Sequence, residues 1–292
     1  MSRALADALR KLLARPDAAP ASLFTDSQRV ALDVLASGTG FLAARTHGRG
    51  VVYQINNRAG LAVHLRALRP EAADSLAPSL PARAASIATH RDSKANRVPH
   101  DLYYLVFKAV GEGVCWSHDD DRILDLSGST RSAEAGALAI REDDHWKSDR
   151  PLWLIENQAP FDDTSWLPDD TRASVAYYAG QIPARLLAWL AHRPRVPKVI
   201  LFADYDGVGL QNFVRLREQL NTPCEFWLMP NWHATLRKYG SNTIWQNTQR
   251  EFSAATARLA ELNPSIELRE LCALMSREGL ALEHEAVWLD RE

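Results

Sequence analysis

The sequence predicts an α/β protein, a parallel sheet flanked by helices, with a small basic module in front of it. Three observations carry that expectation. Residues 199–203 are an apolar run that stops at Asp204 and Asp206; Gly207 and Gly209 follow, then an amphipathic stretch from Leu210 to Leu220. That order is a buried strand, a tight turn and a helix. Apolar strand-like runs then alternate with helical ones over residues 151–229, the pattern of a parallel sheet built with crossover helices. Finally, the charge is divided. Residues 1–100 carry 14 basic and 7 acidic residues, a net +7, and the remainder carries 20 and 29, a net −9. A basic front and an acidic back suit a protein that meets an anion such as nucleic acid with its N-terminal part.

In chain order, residues 2–15 read as an amphipathic helix closed by Arg15-Pro16, and Pro16 to Pro20 as a linker. Thr25 or Asp26 caps a second helix with Val30, Leu32, Val34 and Leu35 on its apolar face and Gly38 as its stop. Phe41 to Thr46 and Val51 to Ile55 form two strands around a His47-Gly-Arg-Gly50 turn, and Arg58 to Leu68 is helical again. Helices beside a ribbon with a basic, glycine-rich tip make residues 1–70 a winged-helix-like DNA-binding module. Arg45, Arg49 and Arg58 are its candidate phosphate contacts. A plain hairpin with solvated arginines is the alternative.

Pro70 to Pro81, with three prolines, marks a boundary. Residues 83–150 read as a connecting region. Within it Asp92, Ser93 and Lys94 form a polar cluster ahead of an apolar run, Leu102 to Val110, expected to be helical. Lys94 is a candidate for stabilising charge on a phosphate, or else a surface lysine at a helix start. Asp119 to Asp121 and Glu142 to Asp144 read as solvated charge runs, and His118 and His145 beside them do not make a metal site.

Residues 151–292 form the expected catalytic domain with a helical tail. Pro151-Leu-Trp-Leu-Ile is a strand ending at Glu156, Ala173 to Ala179 a further strand, Ile182 to His192 a helix, and Cys224 to Met229 a strand. Phe252 to Leu262 and Ile266 to Met275 are helices of the tail, and Glu283 and Glu285 beyond Gly279 read as a solvated face, with further acid ligands as the alternative. Asp204 and Asp206, spaced i, i+2 at the carboxyl end of a strand, project together where open α/β sheets place ligands. Carboxylates this close repel, and a hard divalent cation is the usual remedy. The bland alternative is an aspartate capping the next helix beside a surface aspartate.

A strand ending in glutamate, then a strand ending in Asp-x-Asp-x-x-Gly, resembles the TOPRIM domain of topoisomerases, primases and OLD-type nucleases. The matching residues are Glu156, Asp204, Asp206 and Gly209. The likeness extends to the JetD and MksG family of Wadjet-type SMC plasmid-defence systems, relatives of the topoisomerase VI A subunit. It runs through Arg91-Asp-Ser-Lys94, Trp153-Leu-Ile-Glu-Asn, Tyr177-Tyr-Ala-Gly, Phe202-Ala-Asp-Tyr-Asp-Gly-Val-Gly-Leu and Gly279-Leu-Ala-Leu-Glu-His-Glu285. The resemblance implies a TOPRIM fold and Mg²⁺ or Mn²⁺ held by Glu156, Asp204 and Asp206, with Lys94 assisting catalysis. It further implies cleavage of double-stranded DNA beside an SMC-like ATPase complex, with a second copy of the chain as a candidate partner.

Rival readings make different demands. A haloacid-dehalogenase-type phosphatase also uses Asp-x-Asp, with its other acidic motifs downstream, but no adjacent acidic pair follows Asp206 before the terminus. A strand-transferring topoisomerase subunit needs a nucleophilic tyrosine on the N-terminal module, where Tyr53 is alone. A non-catalytic DNA-binding subunit that keeps metal only for structure is the third. No apolar run approaches the ~20 residues of a membrane span, and the N-terminus lacks the apolar core of a signal peptide, so a cytoplasmic protein is expected. Cys115, Cys224 and Cys272 show neither zinc nor disulfide spacing.

Overall fold

A computed structural model of the chain describes residues 2–48, 50–69, 76–90 and 102–289, in two compact units, Met1–Pro99 and His100–Glu292. In the first unit, α1 (Ser2–Leu13) places Leu5, Ala8, Leu9 and Leu12 on one face, at helical spacing, over a shared core with Leu32, Leu42, Tyr53 and Leu61. A capping box of Thr25 and Gln28 starts α2 (Asp26–Thr39). This helix runs through Gly38 and stops slightly later than expected, at Gly40, whose φ of 66° suits glycine. β2 (Leu42–His47) and β3 (Gly50–Ile55) form the expected ribbon, and α3 (Arg58–Leu68) follows.

The stretch expected as a linker, 16–20, is instead β1 (Ala18–Pro20), paired antiparallel with β3 to give a sheet ordered β1-β3-β2. Small residues lie flat against the ribbon, and Pro20 ends an edge strand, where its missing N–H costs little. α4 (Ala82–His90) completes the described part of this unit.

The second unit is built on a six-stranded mixed sheet. Four strands are parallel: β8 (Leu152–Ile155), β9 (Ala173–Tyr177), β10 (Val199–Phe202) and β11 (Cys224–Phe226). They are joined through α6 (Gln158–Asp162), α7 (Ala184–His192) and α8 (Gly207–Gln219). Every residue of β8 and β10 is buried, as continuous apolar strands require.

Two corrections apply to residues 83–150. Leu102 to Val110 is not a helix but β4 (Tyr103–Val110), paired antiparallel with both β9 and β7 (Gly136–Ile140), so the sheet reads β11-β10-β8-β9-β4-β7. Its Leu105 and Phe107 are buried while Tyr104 and Val106 are exposed, a period of two that aromatic and β-branched residues satisfy. The region is therefore not a connector, because it supplies two strands of the central sheet. It also holds the hairpin β5 (Cys115–Ser117) with β6 (Ile123–Asp125), and α5 (Leu126–Ala133).

The tail is helical, with α9 (Trp232–Tyr239), α10 (Asn242–Glu261) and α11 (Ile266–Glu278). No helix among the described residues is long and apolar enough to cross a membrane.

In the acidic run 142–144, Glu142 and Asp143 are exposed as the solvated reading has them, and Asp144 departs from it. The Arg195 guanidinium, with a fully buried side chain, donates to the carbonyls of Glu142 (2.9 Å), Asp144, Trp146 (3.4 Å) and Trp189 (3.1 Å) and pairs with the Asp144 carboxylate at 3.2 Å. Trp189 Nε1 donates to the same carboxylate at 2.7 Å. His118 and His145 pair instead with Asp120 and Asp119. Removing the guanidinium leaves four acceptors and a half-paired carboxylate. Arg195→Ala is thus expected to destabilise the second unit by about 3–5 kcal/mol, read as a lowered denaturation midpoint.

Candidate active site

The register of β8 against β10 decides the site. Leu152 pairs with Val199 and Ile155 with Phe202, in parallel. Glu156 continues the ladder, its N–H donating to Phe202 O at 3.3 Å, so it stands beside Ala203. Asp204 is the next residue, and Asn157 Nδ2 reaches its Oδ1 at 3.4 Å. Glu156 and Asp204 therefore leave neighbouring strands at the same, carboxyl-terminal end, with Asp206 two residues on.

The glycines play separate parts there. Asp206 is the N-cap of α8, its Oδ1 accepting from Gly209 N at 2.8 Å. A Cβ on Gly209 would stand 2.1 Å from Asp204 O, and one on Gly207 would stand 2.2 Å from Thr248 O of α10. Only glycine lets α8 begin so close to the end of β10 while packing on α10. The capping alternative is thus half realised: Asp206 caps, but it is buried, and Asp204 is not a surface residue.

The tail returns to this place. Tyr205 and Leu282 exchange backbone hydrogen bonds of 2.8 and 3.0 Å, and Ser241 and Ala281 form a second bridge. The segment laid down this way presents His284 and Glu285 to Asp204. His284 N donates to Asp204 Oδ1 at 2.9 Å, and His284 Nδ1 lies 3.1 Å from the same oxygen. The His284 ring is wholly buried and stacks on Phe202 at 4.7 Å between centroids. Phe202 in turn packs on Trp166 (4.5 Å) and Trp227 (4.7 Å). The solvated-face reading is corrected for Glu285, whose Oε2 is buried, and kept for Glu283, which is exposed.

Electrostatically the site is one-sided. Burial first, then Asp204 and Asp206, push the Glu156 carboxyl up to about 8. Burial, opposed by the His284 N–H and reinforced by Asp206, Glu285 and Glu283, pushes Asp204 up to about 7. Burial also raises Asp206, with Glu251 and Glu283 adding to it. Among the described residues, no lysine or arginine forms an ion pair with any of the three. Burial, opposed by the Ala203 carbonyl, drives His284 down to about 3, so its imidazole is neutral. Neutral nitrogen, crowded carboxylates and the unpartnered Glu285 Oε2 form a donor set that fits a divalent cation.

Pattern alone singled out Glu156, Asp204 and Asp206, and the structure brings all three to one sheet end. Lys94 and Arg49 lie outside the described residues. Arg45 is exposed on β2. Arg58 is exposed and also bonded to backbone. Its guanidinium donates to the carbonyls of Leu13, Arg15 (2.8 Å) and Pro16 (2.9 Å), closing the end of α1. Tyr53 is buried, and its hydroxyl donates to Asp33 at 2.8 Å; burial and that bond push it up to about 12, unlike an activated nucleophile.

Sequence reasoning gave no role to Tyr178, whose hydroxyl donates to Glu156 Oε2 at 3.4 Å, or to Asn212, buried on α8 and bonded to Ile182 N and Gly180 O. The signal available was Tyr178-Ala-Gly180, directly after a strand: Ala179 and Gly180 both take positive φ, turning the chain across the site. The chain matches no protein-family model, and no curated protein matches it at a significant level.

Raised carboxyl pKa values have a signed consequence. Between the ordinary values near 4 and the raised values of about 7 and 8, the folded state holds more protons than the unfolded one. Stability from these groups is therefore greatest at the acid end of that window and falls as pH rises through it. Metal-free protein should melt lower at pH 8.5 than at pH 5.5. Glu156→Gln should flatten that decline, and saturating Mn²⁺ should oppose it, as seen by thermal melting in each buffer.

Proposed function

We propose that this protein is a divalent-metal-dependent DNA endonuclease with a TOPRIM-type catalytic domain. In this reading it acts in the cytoplasm as the nuclease subunit of a prokaryotic anti-plasmid or anti-phage complex built on an SMC-like ATPase. The observation that carries it is the meeting of Glu156 with Asp204 and Asp206 at the ends of two adjacent parallel strands. Phosphodiester hydrolysis needs groups that hold a cation and a group that takes a proton from water. Bound Mg²⁺ or Mn²⁺ supplies charge to polarise the phosphate and acidify water.

The chain's own residues then divide the work. Asp204 keeps one oxygen on the His284 N–H and the Asn157 amide. Asp206 keeps one on Gly209 N. The other oxygen of each stays outside these bonds, and both carboxylates are fixed without a lysine or arginine partner. Glu156, oriented by the Tyr178 hydroxyl, is the proton acceptor. Two hydrogen bonds on one Asp204 oxygen favour an orienting ligand over the free nucleophile that a phosphatase of the haloacid-dehalogenase type requires.

The N-terminal unit supplies the DNA contact in this reading. Its antiparallel β1-β3-β2 sheet and the helix α2 support a winged-helix-like module, with exposed Arg45 on the ribbon. Arg45→Ala is expected to weaken double-stranded DNA binding and to lower the salt slope by about one. Fluorescence anisotropy over a salt series checks this; an unchanged slope sends the DNA elsewhere.

Asp204→Asn removes a charge but keeps shape. Mn²⁺-dependent cleavage of plasmid DNA by the assembled complex should fall by orders of magnitude, while DNA binding persists and the melting temperature holds or rises. Full cleavage by that variant would remove the carboxylates from the chemistry.

A further inference from the structure

Between Asp204 and the C-terminal segment lies a set of polar atoms that the protein itself satisfies only in part. His284 has no exposed surface; its ring faces the Ala203 carbonyl, but neither ring nitrogen completes a well-formed hydrogen bond. Its Nδ1 nevertheless points at Asp204, 3.1 Å from Oδ1. Glu285 Oε2 is buried beside it, also without a partner. Under-paired polar groups in a dry interior are costly, and a ligand shared among them offsets that cost.

The spacing suits one. Atoms of Asp204, His284 and Glu285 all lie within 4.8 Å of one another. Ligands on adjacent corners of an octahedron with ~2.1 Å bonds stand about 3 Å apart, and those on opposite corners about 4.2 Å. His284 Nδ1 stands 3.1 Å from Asp204 Oδ1, the spacing of an adjacent pair; that oxygen also accepts from His284 N and Asn157 Nδ2, and the carboxylate's other oxygen carries neither bond.

We propose that His284 Nδ1 and the Glu285 carboxylate join Asp204 as ligands of a divalent cation, which gives this part of the site a preference for a first-row transition ion over Mg²⁺. The inference rests on reading the acidic site as one that holds cations, and it goes beyond Glu156, Asp204 and Asp206 by naming two further ligands and a metal selectivity. Carboxylates and water satisfy Mg²⁺, which takes imidazole poorly, whereas transition ions accept it readily. The two backbone bridges that hold Leu282 on Tyr205 and Ala281 on Ser241 fix the ligands. The His284 ring packs on Phe202, tilted by 34° at 4.7 Å between centroids, which limits its rotation.

Mn²⁺ is the probe, titrated into the full chain and followed by pulsed electron paramagnetic resonance. Wild-type protein should show nitrogen hyperfine coupling on bound Mn²⁺, a signature that a merely structural histidine does not produce. His284→Phe keeps the ring stack on Phe202. It should lose the coupling and weaken Mn²⁺ binding by about tenfold or more, with a smaller loss for Mg²⁺. Glu285→Gln should weaken both ions and keep the coupling.

Bound Mn²⁺ without nitrogen coupling in the wild type overturns the proposal, whatever the variants do. So does a failure of Mn²⁺ to bind. The two readings fail separately. If Glu156→Gln abolishes cleavage while Mn²⁺ shows no nitrogen, only the added ligands are wrong. If nitrogen-coupled Mn²⁺ binds but no DNA is cut by the assembled complex, the nuclease reading falls and the cation site stands.

Discussion

Carboxylates crowded at the end of a fully buried pair of parallel strands set the terms for the second unit. The register of β8 on β10 follows from apolar residues that have nowhere else to go, and it leaves Glu156 and Asp204 side by side. Like charges in a poorly solvated place repel strongly. The neighbouring structure answers with hydrogen-bond donors: the N–H groups at the start of α8, the Asn157 amide and the His284 main chain. The first turn of α8 also lends its partial positive charge. Such dipoles orient the acids without neutralising them, which preserves their capacity for a cation.

Close approach is the second requirement. Gly209 lets the helix start against the Asp204 carbonyl, and Gly207 lets α8 lie on α10. Asn212 on the same helix ties down the turn at Gly180, and that turn carries Tyr178 to Glu156. The tail then covers the opposite flank. Its position depends on two isolated backbone bridges and on the stacking of His284 against Phe202, itself set among Trp166 and Trp227. A polar site is in this way mounted on an aromatic base that excludes water and fixes ring orientation.

Similar economy governs arginines in both units. Arg58, at the start of α3, donates to the carbonyls at and just after the end of α1 and so ties the two helices together. Arg195 does the same for the loop before β8. Guanidinium groups suit this because five donors in a fixed plane can satisfy several carbonyls at once. Among the described residues of the ribbon, Arg45 is an exposed arginine with no such carbonyl set about it.

The sequence by itself determined the apolar strands that end in Glu156 and in Asp204-Tyr-Asp206, the glycines after them, the helix Arg58–Leu68 and the ribbon of the first unit. Those features are local: an apolar run, an abrupt carboxylate and a turn residue need no distant partner to be read. Tertiary structure decided the rest. Leu102 to Val110 is apolar enough for either helix or strand, and only the open edge of β9 and the pairing with β7 made it β4. Pro16 to Pro20 lacks any strand signature, and β3 alone recruits its last three residues. His284 and Glu285 are 80 and 81 positions from Asp204 and carry no periodicity that ties them to it. They reach it because Leu282 pairs with Tyr205, a long-range hydrogen-bonded bridge whose partners no local pattern specifies.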